Sequence, residues 1–350
     1  MSLLKGLPNL TGSTCYLNSI LQILIHTPEF ISSLREHPAD ASIEGYNIAE
    51  SLLKVFDSYF QQGANMTKPL TEFIRAFMTY YDKFGMGQQD QNEYLMLLFR
   101  IIHDTCHDEV QFNLTGSASN ELDQLEEKSL RSLRVDGMST TFDSLKEGDE
   151  RRAYSSSIFQ LFTGQFHFRT ECREPECRYI SHRFEPFRSI ELPMANPDKR
   201  SLTLDDCLRS YSGITQLGKD DVYECDKCHV KTRSLLRCCI WRPPNILVIT
   251  LKRFIWYMNN GQLCTLKDSR PVEAPDVLDL TPYMSAPRGP CRYELYATAN
   301  HMGQPEFGHC KSFVKLNGKW YTADDERVQA ANQGLDTQGQ YILFYKLIRN

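Results

Sequence analysis

Gly6-Leu7-Pro8-Asn9-Leu10-Thr11-Gly12-Ser13-Thr14-Cys15-Tyr16-Leu17-Asn18-Ser19 carries a flexible polar turn straight into the apolar pattern of a helix. Cys15 stands at the junction. The first backbone N–H groups of a helix lack intrahelical partners and carry partial positive charge, so a thiolate is favoured there and its pKa lowered. Nearly three hundred residues later comes Gly308-His309, with Trp320-Tyr321-Thr322-Ala323-Asp324-Asp325 close behind. Nucleophile, base and orienting carboxylate thus occur in the order Cys, His, Asp, far apart in sequence, as a two-lobed cysteine hydrolase requires.

Outward from Cys15 the period is helical. Leu17, Ile20, Leu21, Leu24 and Ile25 give a helix from Cys15 to His26, and Pro28 disfavours helix at Thr27. Helices are expected at Asn47 to Gln61, at Leu70 to Tyr81, and from the opening run Gln88-Gln89-Asp90-Gln91-Asn92-Glu93 through about His103. In the last, Asp90 and Glu93 resemble a capping box, and Tyr94, Leu97, Leu98, Ile101 and Ile102 form the apolar stripe. Residues 106–157 turn polar and charged, with Asn113-Leu114-Thr115-Gly116-Ser117 and Lys146-Glu147-Gly148-Asp149-Glu150, and read as an insertion or loop, helical around Glu121 to Leu133. Strand-like runs follow at Ile158–Thr170, Tyr179–Leu192, Lys231–Cys239, Asn245–Phe254, Tyr293–His301, Lys311–Leu316 and Gln340–Ile348. Helical first and β-rich second is the α+β pattern, with a groove between the lobes as the natural site.

The 350 residues suffice for one large or two ordinary domains. Hydrophobic residues at 41% and charged residues at 24% exclude wholesale disorder. A net charge of -5 argues against nucleic-acid binding and weakly suits a partner with a basic contact region. No apolar run approaches the roughly 20 residues that span a bilayer, and no signal-peptide core is evident, so no membrane role is expected. The 12 cysteines then read as reduced thiols, metal ligands or a nucleophile in a cytosolic or nuclear protein.

Cys172-Arg173-Glu174-Pro175-Glu176-Cys177 and Cys225-Asp226-Lys227-Cys228 make two cysteine pairs between strand-like segments. Four thiolates at such spacings suit tetrahedral structural zinc; the alternative is a site that has lost its metal. Cys238 and Cys239 point oppositely on one strand and make a poor chelate. Cys106, Cys207, Cys264 and Cys291 carry no motif, and His229 is an alternate ligand.

Across nearly its whole length the chain resembles the catalytic domain of ubiquitin-specific proteases, which are papain-like cysteine proteases. Gly6 through Gln22 is similar to their cysteine box and Gly308 through Asp325 to their histidine box. Between them, in order, stand Gln89-Asp90, Phe162-Thr163-Gly164, Tyr223-Glu224-Cys225-Asp226-Lys227-Cys228 and Pro244 through Phe254, with Tyr341-Ile342-Leu343-Phe344-Tyr345 closing the series. The resemblance implies one domain with fingers, palm and thumb. Residues 1–105 would form a helical thumb, 106–157 a variable insertion, and 158–350 the fingers and palm, with fingers at about 163–182 and 220–240. It implies hydrolysis of bonds after ubiquitin's C-terminal glycine, with a protease for another ubiquitin-like modifier, or a ubiquitin-binding scaffold, as the alternatives. Targeting or activation by a partner protein is also expected.

By the resemblance, Cys15 attacks, His309 is the base, and Asp324 orients it, with Asp325 the alternate. Asn9 would donate to the oxyanion, but it stands six residues before Cys15 where the family has five. Either a bulge at Thr11-Gly12 absorbs the difference, or backbone N–H groups or the Thr11 or Ser13 hydroxyl serve instead. Cys310 replaces the family's Tyr, a smaller wall beside the diglycine tail. The resemblance places Asp90 and Glu93 beside the tail's arginines, though capping also explains them. It places Gln22 near the active site, unless that is a plain polar helix position. His301 reads as structural, and the cysteine pairs fall at finger tips.

Overall fold

The computed structural model describes residues 4–10, 12–81, 87–111, 120–133, 152–218, 223–286, 289–305, 307–332 and 334–349. Five helices precede the sheets: α1 Cys15–Ile25, α2 Pro28–Glu36, α3 Tyr46–Phe60, α4 Thr67–Tyr80 and α5 Gln91–Thr105. Every residue of α1 is buried, including Asn18, Ser19 and Gln22. Such a helix must run through the core, and its buried amides and hydroxyls need partners. Gln91 Nε2 accordingly donates to Ser19 Oγ at 2.6 Å. In the sequence Pro28 marks only a helix stop. It also starts α2 at the first helical position, where its fixed φ and missing N–H are tolerated.

Among the described residues, the main sheet has eight strands. Its order is Arg327–Ala330, Lys319–Asp324, Gly308–Leu316, Arg292–Gly303, Gln340–Leu347, Ile246–Lys252 and Ile190–Pro193, with Val277–Asp279 also on Arg292–Gly303. The pairings are antiparallel except that of Ile190–Pro193 with Ile246–Lys252. Period-two alternation divides its side chains between two cores. Ile246, Val248, Ile342 and Phe344 meet the helices, whereas Leu247, Ile249, Leu343 and Tyr345 pack on the far side. On Arg292–Gly303, Tyr293 and Leu295 face the far core but Ala297 and Ala299 face the helices. A register shift between Leu295 and Ala297 makes that exchange, as a bulge must.

A second sheet orders Ile180–Phe187, Gly164–Cys172, Ser234–Arg242 and Ile214–Gln216, and a small ladder pairs Tyr223–Glu224 with Lys231–Thr232. The strand expected to start at Ile158 does not. Ser157–Phe162 is a helix whose N-cap, Ser156, accepts from the Phe159 N–H, so the capping serine overrides the β-branched and aromatic content. Within the expected insertion, Glu121–Ser132 is helical, and His107–Gln111 pairs with Arg152–Ser156, a ladder with no sequence signal. Asn113–Ser117 and Lys146–Glu150 lie outside the described residues.

Candidate active site

The N-terminus of α1 abuts the strand Gly308–Leu316 and brings Cys15 to His309. Asp324 ends the neighbouring strand, and its Oδ1 lies 2.6 Å from His309 Nε2. The same imidazole faces Cys15, and each shifts the titration of the other. Those contacts, with Cys15 leading and Asp324 second, raise the His309 pKa to about 9 against the opposing effect of burial. The Cys15 pKa falls to about 5. The largest cause is a hydrogen bond from the Cys310 thiol; the hydrogen bond and charge of His309 add to it, while burial opposes it. At neutral pH the pair is therefore thiolate and imidazolium. The Cys310 contribution was not legible in sequence, where this residue read only as a smaller wall.

Asp325 does different work from Asp324. Its Oδ1 accepts from Asn18 Nδ2 at 2.8 Å, its Oδ2 from Asn9 Nδ2 at 2.9 Å, and its backbone carbonyl from the Leu7 N–H at 2.9 Å. Asn9 Oδ1 in turn accepts from the Thr14 N–H at 3.1 Å and hydroxyl at 3.0 Å. Asn9 is thus held next to Cys15 despite its offset. Gly12 has φ +72, the left-handed backbone a loop with one extra residue can exploit, while Thr11 lies outside the described residues. Gly6 passes so close to the Asp325–Glu326 turn that an added Cβ would sit 2.2 Å from the Glu326 carbonyl oxygen.

A cleft of about 680 Å³ opens beside Cys15. Asp90, Glu93 and Glu191 line it, three carboxylates suited to a cationic segment. Asp90 also caps α5, taking the N–H groups of Asn92 and Glu93 at 2.8 and 2.9 Å, and accepts the Tyr341 hydroxyl at 2.6 Å. Both readings of Asp90 are compatible, since a carboxylate has several acceptor sites. Glu191 had no sequence signal because only the parallel pairing brings it here. Gln22 is placed elsewhere: buried, it donates to the Lys5 carbonyl at 2.7 Å and accepts from the Tyr59 hydroxyl at 3.2 Å. Gln22 thus braces the segment before Asn9 and does not line the cleft. Gln88 was also missed. Its Nε2 donates to the Gly308 carbonyl at 2.6 Å and its Oε1 accepts the Gly308 N–H at 3.2 Å, a two-bond clasp on the residue before His309. His301 is 9% exposed on the cleft wall, and burial holds its pKa down to about 4, so its ring is neutral.

At the far end of the second sheet, Cys172, Cys177, Cys225 and Cys228 converge, their sulfurs all within 4.8 Å of one another. Cys172 and Cys228 are 3.9 Å apart and Cys177 and Cys225 are 3.7 Å apart. A disulfide needs about 2.05 Å, whereas metal–sulfur bonds of about 2.3 Å in a tetrahedron set sulfurs about 3.8 Å apart. The four thiols fit a metal ion. His229 is not part of the cluster.

Residues 5–345 match the family described as Ubiquitin carboxyl-terminal hydrolase. Among curated relatives, Ubiquitin carboxyl-terminal hydrolase 2 of Homo sapiens is 31% identical over 98% of this chain and 55% of its own length. Ubiquitin carboxyl-terminal hydrolase 21 of Mus musculus is 29% identical over 98% of this chain and 62% of its length. The chain therefore spans little more than half the length of the curated relatives it matches. Among solved structures, the SAGA DUB module Ubp8/Sgf11/Sus1/Sgf73 bound to monoubiquitin superposes with a TM-score of 0.74, at 24% identity, covering 99% of this chain and 69% of that one. By family match and by shared fold, the chain belongs to the ubiquitin carboxyl-terminal hydrolase family, with the α+β, papain-like architecture of a ubiquitin-specific protease catalytic domain.

Proposed function

We propose that the protein is a thiol-dependent deubiquitinase that hydrolyses peptide or isopeptide bonds after the C-terminal glycine of ubiquitin. The observation that carries this reading is the Cys15–His309–Asp324 array at the mouth of an acid-lined cleft, within this family. The Cys15 thiolate attacks the glycine carbonyl. The His309 imidazolium then protonates the leaving lysine amine, and afterwards, as the neutral base, takes a proton from the water that cleaves the acyl-enzyme. Asp324 holds the ring and stabilises its cation. The Asn9 amide carries two hydrogens; Asp325 takes one, and we assign the other to the oxyanion, together with backbone N–H groups at the start of α1. Asp90, Glu93 and Glu191 face the two arginines of the ubiquitin tail. The cysteine cluster takes structural zinc, which clamps an extension too thin for a core of its own and plays no part in the chemistry. The neighbouring SAGA module assembles with further subunits, and a targeting or activating partner is proposed here by analogy.

Incubation with ubiquitin bearing an electrophilic C-terminus tests the reading. A covalent adduct on Cys15 supports it, and reaction only with another modifier's probe transfers the activity to that modifier. Tight ubiquitin binding without an adduct makes the protein a scaffold.

A further inference from the structure

Hydrolysis does not require a second thiol at the nucleophile, yet Cys310 is there. It follows His309 directly, pairs with His301 across the strand Arg292–Gly303, and is 5% exposed. Cys15 is 2% exposed, and both residues form the wall of the same cleft. The N-terminus of α1 packs on the strand Gly308–Leu316, which sets the two thiols side by side in that wall, and each is the leading influence on the other's titration.

We propose that Cys15 and Cys310 form a peroxide-modifiable pair in which Cys310 resolves oxidised Cys15 as a reversible intramolecular disulfide. The proposal rests on Cys15 being the activated thiol, and not on the identity of the substrate. In the first step the Cys15 thiolate attacks a hydroperoxide; the O–O bond breaks, Cys15 gains the hydroxyl as a sulfenic acid, and the alkoxide or hydroxide leaves with the His309 proton. In the second, the Cys310 sulfur attacks the Cys15 sulfur. An S–S bond forms, the S–O bond breaks, and the hydroxyl leaves as water with the Cys310 proton. The peroxide is reduced by two electrons, one drawn from each sulfur.

Order and selectivity both follow from the surroundings. Cys15 is the thiolate of the pair, because Cys310 and His309 stabilise its charge. Cys310 is held protonated by that same charge and by burial, so it cannot compete for peroxide. Oxidation of Cys15 removes the charge that keeps the Cys310 proton in place, and His309 stands ready to carry it. Burial pushes up the thiols of Cys106, Cys207, Cys238, Cys239 and Cys291, which leaves them inert. The disulfide would block the nucleophile while sparing it from the irreversible sulfinic state.

The test is peptide mass mapping of the full chain after hydrogen peroxide, quenching and alkylation with iodoacetamide. Untreated protein is expected to alkylate at Cys15 at pH 7; failure to do so overturns the activated-thiol reading along with this one. After peroxide, the wild-type chain should show a Cys15–Cys310 cross-linked peptide, loss of alkylation at both positions, and its return with dithiothreitol. Cys310→Ser keeps the size and a hydrogen-bond donor, and should instead give Cys15 carrying two oxygens and a loss that dithiothreitol does not reverse. Cys310→Ala repeats the comparison without a buried hydroxyl. Equal sulfinic formation in wild type and both variants, or a Cys15 link to any other thiol, overturns the proposal.

Discussion

Burial normally raises a thiol's pKa, and it does so at Cys106 and Cys291, but Cys15 is brought down to about 5 although its side chain is buried too. Two neighbours outweigh the desolvation: the Cys310 thiol donates to the sulfur, and His309 adds a hydrogen bond and a positive charge. The sign of the pH dependence follows. Thiolate accumulates as pH rises through about 5, and the imidazolium is lost as pH passes about 9. Alkylation of Cys15 should therefore have its midpoint near the lower value, well below the free-cysteine value of about 8.5. Turnover should be bell-shaped between the two limits. His309→Ala should move the alkylation midpoint upward; an unmoved midpoint would show that His309 does not stabilise the thiolate. The adjacent acids should also separate. Asp324→Asn removes the carboxylate on the ring and should lower turnover by roughly 10²–10⁴-fold with little change in Tm. Asp325→Ala acts through Asn9 and Asn18, so it should lower Tm as well as turnover. If Asp325→Ala were the more damaging to turnover at unchanged Tm, the orienting acid would be Asp325.

The elements carry these residues with different degrees of legibility. α1 was readable because Leu17, Ile20, Leu21 and Leu24 keep the helical period, and α5 because Asp90 caps it and its stripe is regular. The Ser157–Phe162 helix was not, since six residues are too few for a period to declare itself and Ser156 alone carries the signal. Nor was the face exchange on Arg292–Gly303, where a register shift leaves no residue-type signature. The cysteine pairs were readable as one cluster by spacing, although 48 residues separate Cys177 from Cys225, and strands and turns at the end of one sheet bring them together. Metal analysis of the purified chain should find one zinc per molecule. Cys172→Ser or prolonged chelation should remove it and lower Tm by a few degrees. The KM for ubiquitin conjugates should rise more than kcat falls, because the cluster lies away from Cys15. Metal-free protein of unchanged Tm would refute the zinc assignment.

At the scale of the whole molecule, the problem is to hold two lobes in register across an open cleft. Arg253 solves part of it on the side of the main sheet. Fully buried, its guanidinium donates to the carbonyls of Gln340, Asp268, Arg270 and Thr337, so one side chain gathers segments that no common element joins. Across the cleft, Tyr341 reaches Asp90, and Gln88 clasps Gly308 from 220 residues away. That separation is why the clasp could not be read in sequence: Gln88 lies in a polar run whose visible function is to open α5. Its consequence is local to the chemistry, because Gly308 fixes the approach of the strand that carries His309 and Cys310. Two hydrogen bonds at a partly exposed site contribute about 1–2 kcal/mol to the aligned arrangement, so their loss should cost roughly a factor of 5–30. Gln88→Ala should therefore lower kcat/KM by that factor while Tm stays nearly constant, because neither core is touched. Alkylation of Cys15 should slow in parallel, since a displaced imidazolium stabilises the thiolate less. Gln88→Glu loses the bond to the Gly308 carbonyl but still offers an acceptor to the Gly308 N–H, so its loss should be the smaller of the two. Wild-type kcat/KM in both variants would mean that the His309 strand is held by its sheet neighbours alone.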